Sequence, residues 1–232
     1  MSGRVEKLLI GSVKHLGEKQ AENKFDQPWS TGAYKTETHE AVLLKYKGLE
    51  GDAVADTRFH GGTEKALFAY HIGHYDALSQ QLGRDIPIGS NGENIVVSHM
   101  DEMNVCIEDV YQIGEAIVQV SQPRRPCWKP SRRLRMLEFG NILQRTGRTG
   151  WYFRVLQEGR IQKGDVLQLL ERSYHEWTIQ RMNDCLEHET SIETLQTLYN
   201  APFLPESWKK TLMKKINNEQ IDDHNRLYGP NV

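Results

Sequence analysis

The stretch Ala116-Ile-Val-Gln-Val-Ser-Gln-Pro-Arg-Arg-Pro-Cys-Trp-Lys-Pro130 joins an apolar segment to a stiff, positively charged turn. Every second residue from Ala116 to Val120 is apolar, which predicts a strand with one fully buried face. Pro126 fixes its own φ and restricts the residue before it, so the chain turns where this strand ends. We therefore expect Cys127 to stand on a rigid turn directly beyond a buried strand.

Cys127 carries the strongest chemical signal in the sequence. Arg124, Arg125 and Lys129 surround it in the chain, and cationic neighbours stabilise the thiolate, which attacks electrophiles and binds metals. A free cysteine otherwise packs as a small buried hydrophobe. These residues alone leave both interpretations open, a reactive thiolate and an inert core thiol.

Composition limits the classes of protein to consider. The chain has 232 residues, of which 38% are hydrophobic and 26% charged, and its formal net charge is -2, as in ordinary globular proteins. We expect no membrane partner, because no apolar run approaches the length of a membrane span and the first residues lack an apolar signal core. Three widely spaced cysteines predict a reducing, cytoplasmic location, and they cannot supply four thiolates to an iron–sulfur cluster.

The spacing of apolar and turn residues predicts an α+β protein in two parts. Residues 1–172 read as a mainly β, barrel-like domain with two peripheral helices, and residues 173–232 as a small subdomain of three amphipathic helices. The predicted strands are 6–13, 40–46, 66–70, 94–97, 104–107, 116–120, 151–156 and 166–170. The predicted helices are 74–82 and 131–146 in the first part, and 177–187, the segment following Thr190, and 207–217 in the second.

Two further segments could contact a ligand. Gly48-Leu-Glu-Gly-Asp52 and Arg58-Phe-His-Gly-Gly-Thr-Glu-Lys-Ala66 combine paired glycines with cations, which suits an anion-binding nest. A glycine turn with solvated charges explains the second segment equally well. Asn91-Gly-Glu-Asn94 is a turn signal, although Asn94 could also offer its amide to a polar ligand.

The remaining polar clusters carry weaker signals. His71 and His74 have a spacing that would let both bind a metal on a helix, but no third ligand is evident. Segment 124–135 holds six basic residues beside Trp128, which could form a nucleic-acid patch, a site for one small anion, or a solvated helix face. The slightly negative net charge makes a nucleic-acid partner the least favoured of the three.

These motifs occur in a recognisable order: Gly-Leu-Glu-Gly-Asp, His-Gly-Gly-x-x-Lys-Ala-Leu, Gly-Glu-Asn, and Ser-Gln-Pro-Arg-x-Pro-Cys. Together they resemble the MOSC domain, named for the C-terminal domain of molybdenum cofactor sulfurases. The three closing helices resemble the C-terminal extension of YiiM-type MOSC proteins. The resemblance implies a β-barrel that binds the molybdenum cofactor, a molybdopterin, with Cys127 as metal ligand and catalytic residue. The implied cofactor-binding residues are Lys35, Arg58, His60, Gly61, Gly62, Lys65, Asn94, Gln122 and Arg124.

The resemblance also implies an activity. YiiM-type proteins are associated with reductive detoxification of N-hydroxylated compounds, including hydroxylaminopurine base analogues. The sequence contains neither a dinucleotide fingerprint nor a haem-attachment motif, so we expect electrons from a separate reductase. The alternative is a carrier of the cofactor, or of sulfur on Cys127, without turnover of its own. A homodimer is a candidate assembly.

Overall fold

In the computed structural model, which describes residues 2–232, all thirteen strands lie in the first three quarters of the chain. The strands are β1 (Ser2–Ile10), β2 (Lys14–Leu16), β3 (Trp29–Thr31), β4 (Thr36–Thr38), β5 (Val42–Lys45), β6 (Gly48–Leu49), β7 (Leu67–His71), β8 (Ile95–Ser98), β9 (Val110–Ile113), β10 (Ala116–Pro123), β11 (Trp151–Gln157), β12 (Gly159–Ile161) and β13 (Val166–Glu171). The helices are α1 (Gly73–Leu82), α2 (Trp128–Leu134), α3 (Phe139–Thr146), α4 (Ile179–Glu187), α5 (Ile192–Tyr199), α6 (Glu206–Ile216) and α7 (His224–Leu227).

Seven strands close into a barrel. Their order is β13-β9-β10-β11-β7-β8-β1, and β1 pairs back with β13 to complete the ring. Neighbouring strands in the ring are antiparallel except β7 and β8, which run parallel. Strand β4 pairs with the far end of β1, while β12-β5-β6 and β2-β3 form two small separate sheets. The predicted α+β class, a barrel with peripheral helices, is confirmed.

Strand β10 shows the predicted burial pattern and leads directly to the Cys127 turn. Ala116, Val118 and Val120 are fully buried, whereas Ile117 and Gln119 are partly exposed. A bulge between β10 and β11 then shifts the register after Val120. Bulges bend a strand and redirect its side chains, and here the last residues of β10 are all buried.

Two apolar cores hold the helices to the barrel. The larger core fills the barrel and continues into α4, α5 and α6 through residues such as Met182, Leu198 and Trp208. The smaller core packs α1 and α3 against the opposite side of the sheet, with Leu78 and Leu143 fully buried. The three predicted C-terminal helices are confirmed, and they share one core with the barrel. No helix in the described chain combines the length and apolarity needed to cross a bilayer.

Two predicted elements are wrong. Segment 104–107 is a loop with a single bridge between Cys106 and Thr178. The single helix predicted at 131–146 is two helices, because Arg135 adopts a left-handed conformation with φ 54°. The amides of residues 135 and 136 donate to the carbonyls of residues 132 and 131, the hydrogen-bond pair of a Schellman cap that ends α2.

Candidate functional site

One cavity brings together the Cys127 turn, the glycine-rich turn and the loop before β8. It contains about 800 Å³ not filled by protein atoms, part of it open to solvent. The predicted site residues that line it are Lys35, His60, Gly61, Lys65, Asn94, Arg124 and Cys127. Three others, Arg58, Gly62 and Gln122, do not line it.

The Cys127 thiol is activated by its neighbours. Burial raises its pKa, but the His60 imidazole, with Nε2 3.9 Å from Sγ, the charge of Arg124 and the backbone N–H of Lys129 outweigh burial and lower that pKa from 9.0 to about 6. The two other cysteines, Cys106 and Cys185, are buried and have pKa values raised by burial to about 11. At neutral pH Cys127 is therefore ionised, whereas Cys106 and Cys185 remain protonated thiols.

The glycine-rich turn is fastened to the strand that precedes Cys127. Gly61 and Gly62 have φ values of 72° and 83°, a region that side chains with a Cβ rarely adopt. Ser121 Oγ donates a hydrogen bond of 2.6 Å to the Glu64 carbonyl, and Gln122 Nε2 reaches the same oxygen at 3.5 Å. Gln122 thus holds the turn in place rather than facing the cavity.

Arg124 and Lys65, like Lys35, are predicted cations that line the cavity, whereas Arg58 does not line it. Arg124 is only 4% exposed, and its Nη1 has no hydrogen-bond partner within residues 2–232. Lys65 Nζ donates to the Phe59 carbonyl at 2.8 Å, and burial lowers the pKa of this lysine. The Arg58 side chain is 79% exposed and pairs with Asp56 at 2.9 Å, outside the cavity.

A buried triad forms another wall of the cavity. The Lys35 ammonium pairs with the Asp52 carboxylate, and Asn94 Nδ2 donates to the same oxygen at 2.9 Å. Burial lowers the pKa of Lys35, while the Asp52 charge opposes this effect. Asn94 Oδ1 accepts from the Phe68 N–H at 3.1 Å, so both ends of its amide are bonded within the protein. In the sequence, Asp52 carries no signal beyond its place at the end of the Gly-Leu-Glu-Gly-Asp motif.

Asn91 is the second residue that sequence reasoning missed. It lines the cavity and is 5% exposed, and neither Oδ1 nor Nδ2 has a hydrogen-bond partner in the described part of the chain. The fully buried Glu93 shapes its loop by accepting bonds from the amides of Gly89 (2.6 Å) and Asn91 (3.1 Å) and from the Tyr75 hydroxyl. The sequence signal at Asn91-Gly92 indicates only a turn.

The six basic residues of segment 124–135 point in different directions. Arg124 and Lys129 line the cavity, whereas Arg125 binds Asp223, Arg132 binds Asn231, Arg133 binds the Ala33 carbonyl and Arg135 binds Asp26. The interpretation as a solvated helix face is wrong for Arg132, which is 2% exposed. These side chains mostly anchor segments of the protein to one another.

The two histidines of the weak metal motif are engaged differently. His74 Nε2 lies 2.6 Å from a carboxylate oxygen of the buried Glu102. His71 Nδ1 is buried without a partner in residues 2–232. Within that same span, no group of three or more His, Cys, Asp or Glu side chains is arranged to hold a metal ion.

Comparisons with known proteins agree with the motif order. The MOSC domain family model matches residues 56–168. The Bacillus subtilis (strain 168) protein YflK is 38% identical over 202 residues, covering 87% of this chain and 91% of that protein. A protein of Gibberella moniliformis (strain M3125 / FGSC 7600) named "Reductase" is 37% identical over 154 residues, covering 65% of this chain and 27% of that protein. The crystal structure of YiiM from Geobacillus stearothermophilus superposes with a TM-score of 0.75 at 30% identity, covering 92% of this chain and 99% of that one.

Proposed function

The chain belongs to the MOSC domain family, and we propose that it binds the molybdenum cofactor beside Cys127 and reduces N-hydroxylated compounds. One observation carries the proposal. A thiolate at Cys127 shares a cavity with Arg124 and Asn91, whose polar atoms are buried and unpartnered in the described chain. Such atoms are costly unless a ligand satisfies them. The relative named "Reductase" supports an oxidoreductase role.

The residues present fit the chemistry of this cofactor. Soft thiolate ligands suit a thiophilic metal, which assigns Cys127 as the metal ligand, with His60 holding it ionised. Arg124 and Lys65 supply positive charge for a phosphate, and Asn91 offers a donor and an acceptor to a pterin edge. When bound, the cofactor supplies a metal centre that exchanges two electrons with the substrate.

Lys35 and Asn94 contribute differently from the sequence expectation. Both are bonded to Asp52, so we assign them to shaping the wall of the cavity. Gly61 and Gly62 set the course of the backbone beside His60, and Gln122 ties that turn to β10. Arg58 lines a neighbouring groove with Trp128 and Lys129, and we assign it to contacting the substrate before the substrate enters the cavity.

The proposed reaction breaks the N–O bond of the substrate. The nitrogen gains two electrons, two protons are taken up, and the products are an amine or amidine and one water molecule. The chain has three cysteines, too few for a four-cysteine cluster, so we propose that a separate reductase supplies the electrons in the cytoplasm.

The test combines metal analysis with turnover. The chain is produced in a host that makes the cofactor, its molybdenum content is measured, and reduction of a hydroxylaminopurine is followed with reduced methyl viologen as donor. We expect stoichiometric molybdenum and turnover in the wild type, and loss of both in Cys127→Ala. Cys106→Ala is the matched control, because this buried thiol lies away from the cavity.

Each other outcome has a defined meaning. Bound molybdenum without turnover would refute the N-hydroxy reductase activity and favour a carrier of the cofactor. A persulfide on Cys127 without turnover, absent in Cys127→Ala, would favour a carrier of sulfur. Vigorous turnover by the isolated protein with NADH would refute the separate reductase.

A further inference from the structure

The chain ends in a segment, residues 223–231, that we call the C-terminal strap. It comprises α7 and a following 3-10 turn, Gly229–Asn231, neither of which the sequence predicted. It lies beyond the region 56–168 that matches the family model. The strap packs against α2 and the Cys127 turn rather than standing free in solvent.

The strap holds the peptide group that precedes Cys127 and the peptide group between Trp128 and Lys129. Arg226 Nη1 donates to the carbonyl of Pro126, which precedes Cys127. Asn231 Nδ2 donates to the carbonyl of Trp128, which follows it, at 3.2 Å. The same asparagine receives a bond from a buried arginine of α2 through Oδ1, so its orientation is fixed from both ends.

Three more contacts fix the strap itself. Asp223 accepts from Arg125 Nη2 at 2.9 Å and from Gln144 Nε2 at 3.3 Å. Gly229, with φ 50°, lies flat against the Trp128 indole, where a Cβ would fall 2.6 Å from Cγ. Residues 125, 126 and 128 are therefore each tied to the strap, and Cys127 lies among them.

We propose that the strap is a positioning element of the site, in which Arg226 and Asn231 keep the Cys127 Sγ directed at His60 and at the Lys129 N–H. Cys127 has extended backbone angles, φ −127° and ψ 171°, just before α2, and these angles orient its side chain. The carbonyl before it and the carbonyl of the residue after it are held by side chains 100 and 103 residues further along the chain. Without Arg226, rotation of the Pro126–Cys127 peptide group would move Sγ away from its histidine partner, which already lies 3.9 Å away. Without Asn231, rotation of the Trp128–Lys129 peptide group would move the Lys129 N–H away from the thiol whose pKa it lowers.

This inference deepens the proposed function, since it rests on Cys127 being the working thiol. It does not require the cofactor to be present, because the hydrogen bonds that carry it connect protein atoms only. The two proposals can therefore fail separately.

The test titrates Cys127 in the cofactor-free full-length chain. The rate of alkylation by iodoacetamide is measured against pH, and mass spectrometry locates the adduct. We expect a midpoint near pH 6 in the wild type, and a rise of about one pH unit or more in Asn231→Ala and Arg226→Met, because burial then outweighs a weakened contact with the Lys129 N–H or with His60.

Two variants separate positioning from general damage. Tyr228→Phe removes a strap hydrogen bond to Glu138 that does not touch the Cys127 turn, so its midpoint should stay near that of the wild type. Arg226→Lys keeps the charge but loses the guanidinium fork, so it should shift the midpoint in the same direction as Arg226→Met.

The proposal is overturned if folded Asn231→Ala and Arg226→Lys both titrate like the wild type, or if Tyr228→Phe shifts the midpoint as far as they do. Circular dichroism establishes which variants are folded. If Asn231→Ala does not fold, Arg226→Lys decides the question alone. The strap proposal would fail alone if the strap variants showed the wild-type midpoint while the wild-type protein bound molybdenum normally. The proposed function would then stand.

Discussion

Replacing His60 with glutamine should convert Cys127 from thiolate to thiol at neutral pH. With a pKa of about 6, the thiolate outnumbers the thiol about tenfold at pH 7. The imidazole lowers this pKa both through its hydrogen bond and through its charge, and burial opposes both effects. Without the imidazole we expect the pKa to return to the ordinary 9.0 or above, which leaves about one thiolate in a hundred at pH 7.

The midpoint of the titration is a sharper readout than the rate at one pH. A rise of about three pKa units reduces the thiolate fraction at pH 7 by roughly 90-fold. The same rise makes each thiolate a better nucleophile, by roughly 20-fold with a Brønsted coefficient of about 0.45. These effects nearly cancel, so the rate at pH 7 would fall only about fourfold, whereas the midpoint would move by about three units.

Alkylation with iodoacetamide from pH 5 to pH 10 measures that midpoint. Cys106 and Cys185, with pKa values of about 11, contribute little over this range, and Cys127→Ala should remove the signal. His175→Gln is the matched control, because this histidine has an 85% exposed side chain remote from the cavity. A wild-type midpoint near 9, or an unchanged midpoint in His60→Gln, would refute the reasoning.

Three further predictions concern the cavity walls and the glycine turn beside His60. Asp52→Asn removes the carboxylate of the buried pair with Lys35 and should lower the free energy of unfolding, measured by urea titration, by about 3–5 kcal/mol. Adding Lys35→Met should restore most of the lost stability, because no unpaired charge then remains buried. A double variant as unstable as Asp52→Asn would contradict this account. Asn91→Leu removes two unpartnered polar atoms and should raise the free energy of unfolding by about 1 kcal/mol. It should also lower the molybdenum content of the purified protein. An unchanged molybdenum content would show that this amide does not bind the cofactor. Gly62→Ala puts a Cβ on a backbone with φ 83° and ψ 177°, a region essentially restricted to glycine, so it should cost up to about 3 kcal/mol and raise the midpoint for Cys127. Gly83→Ala, at a left-handed φ of 62° and ψ of 25° in equally open space, should cost about 1–2 kcal/mol without moving the midpoint.

The sequence predicted the surroundings of Cys127 because those signals are local. Alternation along β10 and the prolines after it act on neighbouring residues, so they require no knowledge of the fold. The order of the motifs then predicted which distant turns carry the site. Seven of the ten predicted site residues, this cysteine included, line one cavity.

The partners of individual polar side chains could not be predicted in this way. Asn94 and Asn91 look alike in the sequence, yet the first donates to Asp52, 42 residues away, and the second has no partner in residues 2–232. Turn propensity depends on the backbone of a few residues, whereas these hydrogen bonds depend on how β1 and β8 pair.

The break between α2 and α3 has the same origin. Periodicity alone favours one helix across 131–146, with Leu137 and Ile142 facing inward. The structure instead buries Phe139 and Leu143 fully, because the left-handed Arg135 reorients the chain between the helices. Arginine is an unusual residue for that conformation, and Asp26, which binds its guanidinium, is more than 100 residues away in sequence.

The basic run around Cys127 gains a structural explanation from its long-range partners. Its charges alone were compatible with a nucleic-acid patch, a site for one small anion, or a solvated helix face. The adjacent arginines in fact diverge: Arg124 faces the cavity, whereas Arg125 binds Thr211 and Asp223. A turn that gathers cations around a thiolate must also keep those cations from repelling one another, and carboxylates from the C-terminal part of the chain provide that compensation. Asp223, which pairs with Arg125, also pairs with Arg226, and Arg226 in turn donates to the Pro126 carbonyl. The charges that lower the pKa of the thiol and the strap proposed to orient it are therefore parts of one interaction network, and the strap lies outside the family-matched region 56–168.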